Sequence, residues 1–203
     1  MKKSFATAFF VILGIACLLN ISFLQAFFRF QLLKWARKEA ETAAPLADKL
    51  AKSKYGVWFA LRDIDTFGGS TRGWASKVLI DTSIPGTDAR LEAIKDDTTC
   101  ALGKRMEAAS LLERRTKRSD YLVDMFLLGK EAAAETNNTV MLYCYTCLNM
   151  CMRNDRVFAD SVDEALQMFQ MSVDDFQAIL AQNGLKDESG SEPEKTGSQR
   201  EAP

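Results

Sequence analysis

Histidine is absent from the 203-residue chain. Without an imidazole there is no Ser-His-Asp triad, no Cys-His nucleophile pair, no HExxH zinc site and no facial iron triad. A histidine-based pH switch falls with them. Any enzyme chemistry would have to rest on carboxylates, lysine, cysteine or a bound cofactor. An excess of charge of either sign is also missing. The chain has 26 Lys and Arg against 27 Asp and Glu, a net charge of −1. A nucleic-acid-binding domain is usually clearly basic, so no nucleic-acid partner is expected.

Several phosphate, nucleophile and calcium signatures are incomplete. GGSTRG, residues 68–73, lacks the lysine that a P-loop places after its last glycine, and no serine is followed by lysine three positions on. DIDTFGG, residues 63–69, starts like a calcium loop with Asp63 and Asp65. It then puts Phe67 where an oxygen ligand belongs and Trp74 where the bidentate Glu should stand. No catalytic residue and no cofactor is assigned, and the sequence leans away from an enzyme.

What is present begins at the N-terminus. Residues 4–28, SFATAFFVILGIACLLNISFLQAFF, carry no charge over 25 positions. About 20 apolar residues span a bilayer as a helix, and Phe30, Trp35 and the basic residues beyond the run suit an interface. A cleaved signal peptide has an apolar region of about 7 to 15 residues ending at a small-x-small site. Here a cut after Ala26 would place Leu24 at a small position, and a lipoprotein cut before Cys17 would place Gly14 where leucine belongs. An uncleaved signal-anchor is therefore expected. Lys2 and Lys3 on one side compete with Arg29, Lys34, Arg37 and Lys38 on the other. The short basic tail resembles a bacterial inner-membrane anchor with the C-terminal domain outside the cytoplasm.

The rest reads as mainly α. Phe30, Leu33, Ala36, Ala40, Ala43, Ala47 and Leu50 recur at helical spacing, with Pro45 expected to kink that helix or start a new one. Residues 55–86 hold five of the eleven glycines and two short apolar runs, VWFAL and KVLI, which permit a small β-hairpin. Leu91, Ile94, Thr98, Ala101, Leu102, Met106, Ala109 and Leu112 form one stripe. Ser119 or Asp120 is placed to cap the next helix, and Asn137 or Asn138 to stop it. Ser161 with Glu164 has the capping-box pattern; Ser172 opens a last helix that Gly184 closes. The organisation expected is a membrane anchor over 1–28, a stalk helix over 29–54, an α-helical domain over 55–185 and a disordered tail over 186–203.

LYCYTCLNMC, residues 142–151, holds three of the five cysteines. On a helix, Cys144, Cys147 and Cys151 share one face. Three readings stay open. Cys100, Cys144, Cys147 and Cys151 are an even set that an oxidising compartment would pair as disulfides. They could also be small core thiols. The third reading, metal binding by Cys100, Cys144, Cys147 and Cys151, lacks the repeated C-x2-C knuckles of a strong zinc pattern.

ERRTKR, residues 113–118, gathers Arg114, Arg115, Lys117 and Arg118 and reads as a solvated helix end, with anionic headgroups as the rival partner. Residues 161–184 have helix-turn-helix proportions, but Asp174, Asp175 and Gln177 would face the DNA. Asn138 lies within a glycosylation sequon formed by Asn137, Asn138 and Thr139, which matters only in a eukaryotic secretory protein. The function expected is a membrane-anchored, non-catalytic interaction or structural protein contributing a helical domain to an assembly. Its partners would be the lipid bilayer and a protein partner or a second copy. The alternatives are a cysteine-based redox or metal-binding membrane protein and a membrane-tethered helix-turn-helix regulator.

Overall fold

The computed structural model describes residues 21–64, 72–152 and 162–185. Among these, ten helices account for 81% of the residues and there is no strand, so the chain is mainly α. The helices are α1 (Ile21–Ala36), α2 (Ala40–Ala51), α3 (Lys54–Asp63), α4 (Arg72–Asp81), α5 (Thr87–Asp96), α6 (Leu102–Thr116), α7 (Asp120–Ala134), α8 (Asn138–Cys151), α9 (Val162–Gln170) and α10 (Val173–Gln182).

Two apolar clusters share α6 as their common wall. The first gathers Phe30 and Leu33 of α1, Ala43, Ala47 and Leu50 of α2, Val57 and Leu61 of α3, and Val78 and Leu79 of α4. It also takes Leu91 of α5 and Leu111 and Leu112 of α6. The second is built on Met106 and Ala109 of α6, with Met125 and Phe126 of α7, Met141 and Cys144 of α8, Phe169 of α9 and Phe176 of α10. Neighbouring positions 111–112 and 106–109 of α6 thus face opposite ways, which is why a single helix can serve both clusters.

The expected β-hairpin at 55–86 is not found. VWFAL lies in α3 and KVLI in α4. Val57, Ala60, Leu61 and Ile64 are buried at spacings of three, one and three, and Ala75, Val78 and Leu79 at three and one. That is the burial pattern of a helix face, not of alternating strand positions. Ser53 caps α3 by accepting from the Gly56 N–H at 3.4 Å. Residues 65–71, with Asp65 and most of the glycine-rich segment, lie outside the described residues. Asp63 pairs with Lys34 at 3.6 Å, an ion pair joining α3 to α1.

The transmembrane expectation is also corrected. Among the described residues no helix is long and apolar enough to cross a membrane. That finding overturns the single-pass placement with a signal-anchor, an inner-membrane location and an external domain. The described part of the uncharged run belongs to α1, only 16 residues long. It buries Ala26, Phe30 and Leu33 against the first cluster and carries Arg29 and Lys34. Residues 4–20 lie outside the described residues, as does the segment 186–203 read as a disordered tail.

Boundaries differ from expectation where side chains compete with the backbone. The break after α1 falls at residues 37–39, not at Pro45, which sits inside α2. Trp74 fixes that break by donating its indole N–H to the Arg37 carbonyl at 3.1 Å. The stripe from Leu91 to Leu112 is interrupted between α5 and α6. There Asp97 accepts from the Thr99 backbone N–H at 2.9 Å and from its hydroxyl at 2.6 Å, a local turn that replaces helix bonds. Asn137 does not stop α7 but caps α8, accepting from the Val140 N–H at 3.3 Å.

Ser172 forms a full capping box with Asp175. Gly184, at φ +71°, ends α10 in a Schellman arrangement, with Leu185 N–H reaching the Leu180 carbonyl at 2.9 Å. Ser161 lies outside the described residues, so the first capping box is not seen.

The basic cluster at 113–118 is dispersed by the fold. Arg115 turns inward, donating to the carbonyls of Ile80 and Thr82 at 3.3 and 3.0 Å, also to that of Leu79, and pairing with Asp88. It thereby satisfies carbonyls left open at the C-terminal end of α4. Arg118 pairs with Asp120.

Candidate functional site

The three clustered cysteines lie on α8, whose buried residues are Val140, Met141, Cys144, Tyr145, Cys147, Leu148 and Asn149. Cys144 has no solvent exposure and sits within the second cluster. Burial pushes its thiol well above the usual range, and neighbouring Cys147 adds to the effect. Cys151 is pushed up by burial and then by Glu113, which accepts its S–H. Cys100 stands apart, in the turn before α6, donating to the Asp97 carboxylate at 3.3 Å; partial burial and that bond raise its thiol too.

The disulfide reading is therefore corrected. Cys100, Cys144, Cys147 and Cys151 form no disulfide among the described residues, and no described pair is at disulfide distance. Cys100 lies on the turn before α6, whereas Cys144 and Cys147 are buried within α8 and Cys151, at its end, is partly buried. Among the described residues no group of three or more His, Cys, Asp or Glu is arranged to hold a metal ion.

A thiolate is the reactive form of cysteine, so these environments set an order of reactivity. In the native full chain, a maleimide is expected to label Cys100 first among the cysteines of the described residues. Cys144 should react at least ~100-fold more slowly, through opening of the second cluster. Peptide mass spectrometry after timed labelling measures both. Equal rates would mean that α8 is not packed as described.

α1 carries the most unusual surface. Its exposed residues include Ile21, Gln25, Phe28, Leu32 and Trp35, at successive spacings of four, three, four and three. Ile21 is 50% exposed, Phe28 62%, Leu32 55% and Trp35 86%. The opposite face, Ala26, Phe30 and Leu33, is buried. A globular surface helix normally has one apolar face, and α1 has two. Phe27 and Trp58 of α3 extend the exposed face, while Phe23 contacts Tyr55, Trp58 and Phe59 at ring separations of 5.4 to 6.3 Å. The uncharged run assigns Ile21, Gln25 and Phe28 to a bilayer and Trp35 to its interface. The 4-3-4-3 spacing was the signal that could have found the stripe.

A second feature is a cleft of about 370 Å³ between α4, α6 and α8. Its floor holds Glu107, only 7% exposed. Ser76 donates to one oxygen of this carboxylate at 2.7 Å, and the Tyr143 hydroxyl donates to the other. None of these three residues stood out in the sequence, because they come from three helices and form no linear motif. In α10, Phe176 and Leu180 face inward and Asp174, Asp175 and Gln177 outward. That acidic outer face offers a phosphate backbone no cation.

The chain matches no family model, no curated protein and no solved structure.

Proposed function

We propose that this chain is a non-catalytic interaction protein that assembles through α1 with the same helix of a second copy. The observation that supports this is the unpartnered stripe Ile21, Gln25, Phe28, Leu32, Trp35. Its mean spacing of 3.5 residues is the repeat by which one helix packs along another as knobs into holes. A helix, not a sheet edge or an irregular loop, is the occupant with matching geometry.

A second copy fits that stripe in three ways. Taking 150–250 Å² for a whole aromatic side chain, the exposed apolar surface of the stripe with Phe27 and Trp58 comes to about 600 Å². That is at the upper end for the largest patch on a typical monomer and close to the ~800 Å² per partner of a standard interface. The stripe itself bears no charge, so two copies meet without repulsion along it. Arg29 flanks the stripe at its edge, and Lys34 lies on the far side of α1, engaged by Asp63 of the same chain. Gln25, polar within the seam, would fix the register, as single polar seam residues do in coiled coils. The remaining helices form the domain that each copy contributes to the assembly.

The cysteine-based alternative is disfavoured by burial, which keeps Cys144 and Cys151 as unreactive thiols.

Charge inserted into the seam tests the reading. Phe28→Lys is expected to weaken self-association at least 100-fold, since a cation would have to be buried opposite apolar side chains. The folded domain should be intact, because Phe28 already faces outward. Leu127→Lys, at another exposed apolar position, should leave association unchanged. Light scattering on both full-length variants and the parent reads the result. Equal association of all three would discard α1 as the interface.

A further inference from the structure

We infer that the cleft between α4, α6 and α8 binds a small aliphatic carboxylate, with Arg114 and Ser110 holding its head group. This site is separate from the α1 seam, and neither depends on the other. At about 370 Å³ the cleft is at the small end for a ligand pocket, and it has the usual make-up of apolar wall with a few polar groups.

Arg114 supplies the charge. It lines the cleft near the C-terminal end of α6 and is partly buried there. Its contact is a long one, to the Met150 sulfur at 3.9 Å, and no described carboxylate pairs with it. Among the described residues lining the cleft the other cation is Lys77, which is held by Asp81 and by Asp48 at 3.4 Å. A guanidinium so placed can donate two parallel N–H bonds to a planar carboxylate, in the stronger, charge-assisted kind of hydrogen bond.

Ser110 supplies a second, independent observation. It stands four residues before Arg114, one turn back on the same face of α6. It lines the cleft and is only 5% exposed. A buried hydroxyl is normally hydrogen-bonded, and a helical serine or threonine can donate to the carbonyl four residues back. Thr116 and Thr146 do so, to Leu112 and Leu142, both at 2.8 Å. The Ser110 hydroxyl has no hydrogen-bond partner among the described residues. An anion bound by Arg114 would accept from it.

The rest of the cleft selects the class of anion. Asp81 and Glu107 also line it, the first paired with Lys77 and the second bonded by the hydroxyls of Ser76 and Tyr143. Two carboxylates at the cleft disfavour phosphate, which carries more charge, and leave a monoanion as the better fit. Ile80 and Met150 offer apolar wall to a short alkyl chain.

The probes are hexanoate, n-hexanol, which has the same chain without the charge, and inorganic phosphate, which has the charge without the chain. Titration calorimetry on the full chain is expected to show hexanoate binding at least tenfold more tightly than either of the others. Arg114→Gln should lower the hexanoate affinity at least tenfold and Ser110→Ala about threefold, the losses of a charged and a neutral hydrogen-bond donor. Both variants should keep the parent melting temperature, because neither polar group holds the fold through a carboxylate or a carbonyl. Arg90→Gln, at an exposed cation on α5, should bind as the parent does. Hexanol or phosphate binding as tightly as hexanoate would overturn the inference, as would unaltered affinity in Arg114→Gln or an equal loss in Arg90→Gln. No heat from hexanoate at millimolar concentration would overturn it as well.

Discussion

Gly56→Ala is expected to destabilise the protein by about 3 kcal/mol or more, at the upper end for overpacking by one methyl. A Cβ at residue 56 would stand 2.2 Å from the Leu50 carbonyl oxygen and 2.7 Å from the Leu50 Cα. Both atoms are backbone, at the C-terminal end of α2. No rotamer change can relieve the overlap, so α3 must move away from α2. That movement opens contacts of Val57 and Leu61 with Leu50 and its neighbours in the first cluster. The helix propensity gained by replacing glycine, about 1 kcal/mol, offsets only part of the loss. Gly73→Ala is the matched control: it sits in α4 with no atom within 4 Å of its Cβ position. Thermal unfolding should show a drop of roughly 10 °C for Gly56→Ala and little change for Gly73→Ala. Similar melting temperatures for the two would mean that α2 and α3 do not approach as described.

Phe126→Ala should cost about 3–5 kcal/mol, the range for truncating a buried aromatic ring. Phe126 has no exposed surface. Its ring stacks on Phe176 at 4.3 Å with an interplanar angle of 4°, and meets Phe169 at 5.7 Å. Those rings come from α10 and α9, so Phe126 is the point at which both C-terminal helices are held to α7. Gly129, one turn later, leaves room for Phe169, whose ring would lie 2.3 Å from an added Cβ. Alanine at 126 removes the shared surface, and the helical hairpin should loosen before the first cluster does. Hydrogen exchange is expected to accelerate first in α9 and α10. Leu127→Ala, at the adjacent and half-exposed position, should change stability by less than about 1 kcal/mol.

The helical class was readable because most segments carry apolar residues at spacings of three and four, and because the caps are local. Ser172, Asp175 and Gly184 specify their helix ends within a few residues, so adjacent sequence suffices. The hairpin expectation failed because short apolar runs fit either structure. The paired spacing within VWFAL and KVLI was outweighed by the glycines between them. The N-terminal expectation failed for a different reason. An uncharged run reports only that its side chains avoid water, not what covers them, and in α1 one face is covered by α2 and α3. The Ser76, Glu107 and Tyr143 cluster was illegible because its members lie 31 and 36 residues apart and meet only through helix packing.

The central claim is that α1 is an interface between copies, and the mass of the full chain in solution tests it most directly. Sedimentation equilibrium over a wide micromolar range should give twice the 22.7 kDa protomer mass at the upper concentrations and dissociation on dilution. A mass of one protomer at every concentration would contradict the account.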